Sequence, residues 1–475
     1  MKTIIFFGAG KIGKRMLELW RQFGIQPDFI ADNSSELWNT FYQGVKILPV
    51  AELRSMTDIL ALITCNQVED VRSQLLDYGI DPENIYKGNT VKDMLLFWAS
   101  YMNGKLQWDI PETDKKTAER KSSFKVVFDV QFGFVLGGVE AWALETGKRL
   151  VAHGKDVKFL TTDTRGWVQR EADNSLIQIK GVNKLSESDR LLKGLIAIGK
   201  CRPCNVVCNF PCDNFMSACW AKMLWPQDIN LIAVVHNDEE IYYKYYGAMK
   251  EVIDYCIVTC DAMENYFLGC GMAKAKIVRM AWEISCRGKL ERTYSKEGEA
   301  IRIGYAGRIV VPQKRADLLA EVVRLLRERN INFRLEIAGT GDYEEELKQI
   351  FAEQSGQICF MGQIPRENIS DFWKEQDIGI NCSDWEGRCI SRAEAMASGA
   401  VPVVTDTSSV RDEVQDSYNG YILSCGDAEG IADKICYLYF HREVLRLMGE
   451  RACEAIMEQN QKDDLTGMWN AILKS

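Results

Sequence analysis

Two cations and two carboxylates lie just past short apolar runs in the C-terminal half of the chain. Arg308 and Lys314 occur in Gly307-Arg308-Ile309-Val310-Val311-Pro312-Gln313-Lys314, after a run at 302–307 that reads as a strand. Glu386 and Glu394 occur in Trp385-Glu386-Gly387-Arg388-Cys389-Ile390-Ser391-Arg392-Ala393-Glu394-Ala395-Met396-Ala397-Ser398-Gly399, after a second run at 378–381. The C-terminal ends of such strands are where α/β domains bind ligands. Two cations there could neutralise a diphosphate leaving group. With a helix leading out of this stretch, eight residues at about 100° each set the carboxylates ~80° apart, so both can face one cleft. The amides at 388–391 would point at an anion. A single charged residue is ordinarily a solvated surface charge; the recurrence of both pairs at strand ends of one sheet sets these apart.

A different constellation opens the chain. Gly8-Ala9-Gly10-Lys11-Ile12-Gly13 follows the apolar run 3–7 and leads into a helical pattern at 11–23. That is the context in which a Gly-rich turn brings backbone amides against a diphosphate. Asp32 lies 19 residues after Gly13, at the end of the next strand, where a carboxylate can accept from ribose hydroxyls. The same residues could also make a tight strand-to-helix turn with no ligand. An NAD(P)-dependent oxidoreductase acting through this turn is a further alternative.

The elements that must position these residues alternate between short apolar runs and amphipathic helices, the pattern of βα units and parallel sheets. Residues 1–90 form a first α/β region and 91–123 a connector, helical at 91–102 and polar at 109–123. Residues 124–295 and 296–458 form two further α/β domains of similar size, and 459–475 a C-terminal helix expected to cross back to the first of that pair. Strands are expected at 125–130, 156–161, 205–210, 231–236 and 256–259, then at 302–307, 334–338, 357–361, 378–381 and 401–405. Two successive Rossmann-like domains would face each other across a cleft.

The composition fits this organisation. The 475 residues are 47% hydrophobic and 26% charged, which excludes a mostly disordered or collagen-like chain. A net charge of −9 gives no overall basic field for nucleic acid. No apolar run approaches the ~18 residues of a spanning helix. The apolar part of residues 1–15 is too short for a signal peptide, so a cytoplasmic location with reduced thiols is expected. Cys201, Cys204, Cys208 and Cys212 have the look of a metal set. A strand through 205–210 would hold positions four apart more than ~13 Å from one another, so buried thiols acting as small apolar groups are the better reading. The aromatic, Lys-bearing stretch 241–250 and the helix 191–200 suit either core packing or a peripheral membrane contact.

Over residues 124–475 the chain resembles family 4 of the retaining glycosyltransferases, which have the GT-B fold. The resemblance rests on the E-x7-E element, the G-R-x5-K element, Ala338-Gly339-Thr340-Gly341 and Asn419-Gly420-Tyr421, in the family's order and spacing. It implies an α/β fold with a GT-B pair of Rossmann-like domains and transfer of a sugar from a nucleotide diphosphate sugar to a saccharide or lipid-linked acceptor, without a cofactor or metal. By position, Arg308 and Lys314 would bind the donor diphosphate, Glu386 the transferred sugar and Glu394 the ribose. Gly137 and Gly138 match the Gly-rich loop near donor and acceptor, and His236 in Ala233-Val234-Val235-His236-Asn237-Asp238 matches the active-site histidine. Three stretches depart from the pattern: Met280-Ala281-Trp282-Glu283, Thr407–Glu413 where Gly-Gly is usual, and Arg388, where an apolar residue is common. The first is expected to alter the interdomain hinge, the second the backbone contacts to phosphate, and Arg388 to act on the sugar or acceptor side.

Residues 1–90 resemble the nucleotide-sugar-binding domain of bacterial sugar O-acyltransferases, through the Gly-rich turn, Phe29–Asp32 and Gly44–Leu48. That resemblance implies a nucleotide or nucleotide-sugar site at Gly8, Gly10, Gly13 and Asp32. The rival to a glycosyltransferase is a non-catalytic, regulatory nucleotide-sugar-binding protein.

Overall fold

The computed structural model describes residues 2–22, 26–88, 93, 97, 100, 123–131, 133, 138–162, 176–179, 187–280, 282, 284, 290, 292–352, 356–462 and 464–474. The chain is α/β, with three largely parallel sheets among the described residues. It forms two compact units, Met1–Val234 with Ile241–Tyr255 and Leu473–Ser475, and Val235–Glu240 with Cys256–Ile472.

The first sheet runs in the order Phe41–Tyr42, Val45–Pro49, Phe29–Asp32, Thr3–Phe7, Ile59–Ile63, Ile85–Lys87, and only its first pair is antiparallel. Ile59–Ile63 is buried throughout, as a parallel strand covered on both faces must be. Phe97 is buried among Phe6, Trp20 and Tyr86. The second sheet has the order Ile277–Arg279, Tyr255–Val258, Ile229–Val234, Cys204–Cys208, Lys125–Asp129, Val157–Thr161, Leu176–Gln178. The third has the order Ile358–Gly362, Phe333–Ala338, Ile301–Ala306, Ile378–Asn381, Val401–Thr405, Tyr421–Leu423.

In the second and third sheets the first strand in sequence lies centrally, and chain order runs outward from it in both directions. Such a switch point separates the loops that leave two neighbouring strands and opens a crevice at their C-terminal ends. Helices on the faces are held by their apolar stripes: Asp317–Glu328 buries Leu318, Leu319, Val322, Val323 and Leu326 at helical spacing.

The expected strands are present, with two instructive differences. The strand expected at 231–236 runs from Ile229 to Val234, because the polar Asn230 is buried and donates to Asn205 Oδ1 at 2.8 Å. Six short strands escape the sequence pattern: Phe41–Tyr42, Val45–Pro49, Ile85–Lys87, Leu176–Gln178, Ile277–Arg279 and Tyr421–Leu423. Most have two or three residues, too few to show a period. Asn205 also holds the chain end, donating to the Lys474 carbonyl at 3.2 Å and accepting from its amide at 2.8 Å. Cys204 and Cys208 lie in one fully buried strand, and burial pushes both thiols up. The polar connector at 109–122 lies outside the described residues. Among those described, no helix is long and apolar enough to cross a membrane.

Candidate functional site

Ile301–Ala306 and Ile378–Asn381 are neighbours in the third sheet, so the loops that leave them meet. A backbone bond joins the two loops, from the Asp384 amide to the Gln313 carbonyl at 3.0 Å. The first loop is shaped by the turn after Phe333–Ala338. A Cβ on Gly339 would lie 1.9 Å from the Gly307 carbonyl oxygen, and one on Gly341 2.2 Å from that of Ile309. Only glycine permits this approach, and Gly339 also has φ of +127°.

Of the four charged residues, Lys314 and Glu386 are brought into direct contact. Lys314 Nζ donates to Glu386 Oε1 at 2.5 Å, across 72 positions of sequence. Ser383 Oγ donates to the same oxygen at 2.6 Å. Burial works to raise the Glu386 pKa, but Lys314, Ser383 and Arg392 outweigh it and hold the carboxyl below the usual range. Burial opposes the charge on Lys314 too, and Glu386 keeps its pKa above the ordinary value. The two directions agree, and the pair is ionised. Arg308 is exposed and donates through Nη2 to Gln313 Oε1 at 2.5 Å. Gln313 in turn donates to the Trp385 carbonyl at 3.2 Å and to Asn237 Oδ1 at 3.4 Å. Ser383, Gln313 and Asn237 carry no chemistry in their type or spacing that would have singled them out.

His236 lies two residues past Ile229–Val234 and is buried. Its ring sits 5.2 Å from that of Trp282. Burial pushes its pKa down to about 3, so the imidazole is neutral. A Cβ on Gly387 would lie 1.9 Å from the His236 carbonyl oxygen, so this glycine lets the Glu386 loop pass directly against the histidine. Glu394 sits on the helix Ile390–Ala397. Its carboxylate accepts no hydrogen bond from the described residues. Burial lifts it to about 7, with Arg366 only partly opposing. The guanidinium of Arg388, a residue expected to act on the sugar or acceptor side, is buried on Glu413 at 2.6 Å, so its charge is engaged there and does not face solvent.

Part of the chain is similar to known proteins. Residues 288–454 match the family Glycosyl transferases group 1. Among curated proteins, the chain is 26% identical over 178 residues to the poly(ribitol-phosphate) alpha-N-acetylglucosaminyltransferase of Staphylococcus aureus, covering 36% of this chain and 35% of that protein. It is 23% identical over 236 residues to the capsular polysaccharide biosynthesis glycosyltransferase CapM of Staphylococcus aureus, covering 48% and 61%. The chain thus spans about a third of the length of the first of these relatives. Among solved structures, TarM superposes with a TM-score of 0.60 at 14% identity, over 74% of this chain and 99% of TarM. The pneumococcal O-GlcNAc transferase GtfA, solved with UDP and GlcNAc, superposes with a TM-score of 0.60 at 14% identity, over 74% and 98%. At such identity the likeness is one of fold, and it agrees with the GT-B architecture expected above.

The group 1 segment holds Arg308, Lys314, Glu386 and Glu394, and His236 lies in the same compact unit. Gly138, exposed, begins the helix Gly138–Ala152, and Gly137 lies outside the described residues. The N-terminal turn is separate. Gly8 has φ of +116°, and a Cβ on Gly13 would lie 1.7 Å from the Gly8 carbonyl oxygen, so both glycines are required by the turn itself. A Cβ on Gly10 would meet nothing within 4 Å. Asp32 is already engaged: Oδ2 accepts from the Ala9 amide at 2.6 Å and Oδ1 from the Ser34 amide at 2.7 Å.

Proposed function

We propose that this protein is a retaining glycosyltransferase of the family 4 type. It moves a sugar from a nucleotide diphosphate sugar to an acceptor hydroxyl, in the synthesis of a bacterial surface polysaccharide or glycoconjugate. The observation that carries this reading is the Lys314–Glu386 pair beside Arg308 at the switch point of the third sheet. The positive charge of Lys314 is answered by Glu386. A donor exchanges these contacts: its diphosphate takes the Lys314 ammonium and the Arg308 guanidinium, and its sugar hydroxyls donate to the released Glu386 carboxylate. Glu394 accepts from the ribose.

As the bond between the anomeric carbon and the phosphate oxygen breaks, negative charge builds on the leaving diphosphate. Preorganised cations in a water-poor site stabilise that charge most where it develops. The acceptor oxygen bonds to the anomeric carbon on the same face, and its proton passes to the departing phosphate. No protein nucleophile is needed, and the Glu386 carboxylate is engaged by the donor's sugar hydroxyls. The neutral His236 imidazole can hydrogen-bond a sugar hydroxyl without adding a third cation. GtfA was solved with UDP and GlcNAc, which favours UDP-sugars as the first donors to try.

The first region, 1–90, is proposed as a nucleotide or nucleotide-sugar module that performs no chemistry, with 124–295 the acceptor domain and 296–458 the donor domain. The test is nucleoside diphosphate release from a panel of UDP-, GDP- and ADP-sugars. We expect turnover with one of them that survives EDTA. Loss in EDTA with recovery in Mg²⁺ or Mn²⁺ would overturn the metal-independent mechanism, and no release from any donor would overturn the activity.

A further inference from the structure

The three departures from the family pattern meet in one buried cluster. The side chains of Arg388, Arg392 and Glu413 are 0%, 1% and 2% exposed. Arg388 Nε donates to Glu413 Oε1 at 2.6 Å and Arg392 Nη2 to Oε2 at 2.8 Å. Arg392 Nη2 also reaches the carbonyl and hydroxyl of Ser409, both at 3.3 Å, in the stretch that lacks the usual glycines. Asn419 closes that loop by donating to the Glu413 carbonyl at 3.0 Å. One carboxylate between two guanidiniums is tolerable when buried only if the other N–H groups find acceptors. For Arg388 these are the Trp282 carbonyl, through Nη1, and Gln459 Oε1, through Nη2 at 3.3 Å.

Trp282 is thus held from its backbone by Arg388, while its ring packs on His236. Arg388 also directly follows Gly387, whose backbone lies against the His236 carbonyl. We infer that Arg388 is a positioning residue: it anchors the Glu386 loop to Glu413 and holds Trp282, and so sets the place of the His236 ring. A planar guanidinium can bond in three directions at once, to Glu413, Trp282 and Gln459, and the single ammonium of lysine cannot match that fork. The kinetic consequence rests on the glycosyltransferase reading; the placement of His236 does not.

The experiment is carried out on the full chain with ¹³C-labelled histidine. The chain has only three His, and the other two, His153 and His441, are exposed. In Arg388→Lys we expect the His236 ring signal to move, through its changed place relative to the Trp282 ring, while those of His153 and His441 stay. With the best nucleotide sugar, kcat should fall about tenfold or more with donor KM within about threefold, the signature of a misplaced rather than a missing contact. An unmoved His236 signal overturns the inference, as does a moved signal with kcat unchanged. If Arg388→Lys does not fold, Gln459→Leu removes one partner and no charge. It should move the same signal by less, and an unmoved signal there overturns the inference equally. If the wild-type chain releases no nucleoside diphosphate, the glycosyltransferase reading fails, and the histidine spectra still decide the placement.

Discussion

The N-terminal turn and the group 1 site are built on the same topological device and filled in opposite ways. Each follows a central parallel strand, Thr3–Phe7 in the first sheet and Ile301–Ala306 in the third. In the first, the amide that a phosphate would seek, that of Ala9, already has a carboxylate on it, Asp32 at 2.6 Å. In the third, the cation that a phosphate would seek, Lys314, has Glu386 at 2.5 Å. The difference lies in what can be released. In the proposed reaction Glu386 would accept from sugar hydroxyls once Lys314 turned to a phosphate, whereas Asp32 would have to give up a backbone amide inside the turn it braces. A Gly-x-Gly-x-x-Gly pattern therefore says less about a ligand than a pair of charges on neighbouring loops, because Gly8 and Gly13 are already required for packing.

The largest effect should come from the charged side of this comparison. Arg308→Ala or Lys314→Ala is expected to lower turnover on the order of 10²–10³-fold, as losing a partner for transition-state charge does; the melting temperature should stay unchanged in Arg308→Ala and fall in Lys314→Ala, which leaves the buried Glu386 carboxylate without its cation. Steady-state nucleoside diphosphate release measures this, and near-normal turnover in either variant would remove the diphosphate clamp. On the glycine side, Gly13→Ala should cost about 3 kcal/mol of stability, because its Cβ would overlap the Gly8 carbonyl oxygen. Gly10→Ala should stay within about 0.5 kcal/mol. Denaturant unfolding of both reads the contrast, and equal costs would mean that the turn is not held by that close approach.

The second sheet supplies a third switch point, with neither device. Asp129 ends its first strand, fully buried, accepting from Asn214 Nδ2 at 2.7 Å, and burial lifts its pKa to about 7. A carboxyl whose pKa is raised on folding stabilises the fold while both states are protonated. That contribution is lost as pH climbs from about 4 to 7. Asp129→Asn removes this dependence, so its gain in unfolding free energy should be ~2 kcal/mol larger at pH 8 than at pH 5. Thermal unfolding at both pH values decides it, and a pH-independent difference would mean that Asp129 ionises normally.

The smallest effect expected here sharpens the donor side. Glu394 is lifted to about 7, and a ribose hydroxyl donates best to its ionised form. Nucleoside diphosphate affinity should therefore rise about tenfold from pH 6 to pH 8, and Glu394→Gln should flatten that slope. Calorimetric titration at the two pH values is sufficient. A slope that persists in the variant would assign it to another group.

Much of this was legible without coordinates. The apolar runs fix the central strands, because parallel strands buried on both faces must be continuously apolar. The G-R-x5-K and E-x7-E spacings fix which residues stand at strand ends. The sequence also marked Trp282, Arg388 and the 407–413 stretch as departures, with Arg388 expected to act on the sugar or acceptor side. Only the fold revealed that it turns inward to Glu413, since nothing in a local pattern says which distant carboxylate will answer a charge. The same holds for Asp32, whose type and offset suit a ribose but whose oxygens are taken by Ala9 and Ser34. Local spacing determines which side chains reach a strand end. Their partners are settled by pairings across tens of residues, such as Lys314 with Glu386, Arg388 with Glu413 and Asn205 with Lys474. Those pairings depend on which strands lie side by side, and that order is set by the whole sheet burying its two faces at once.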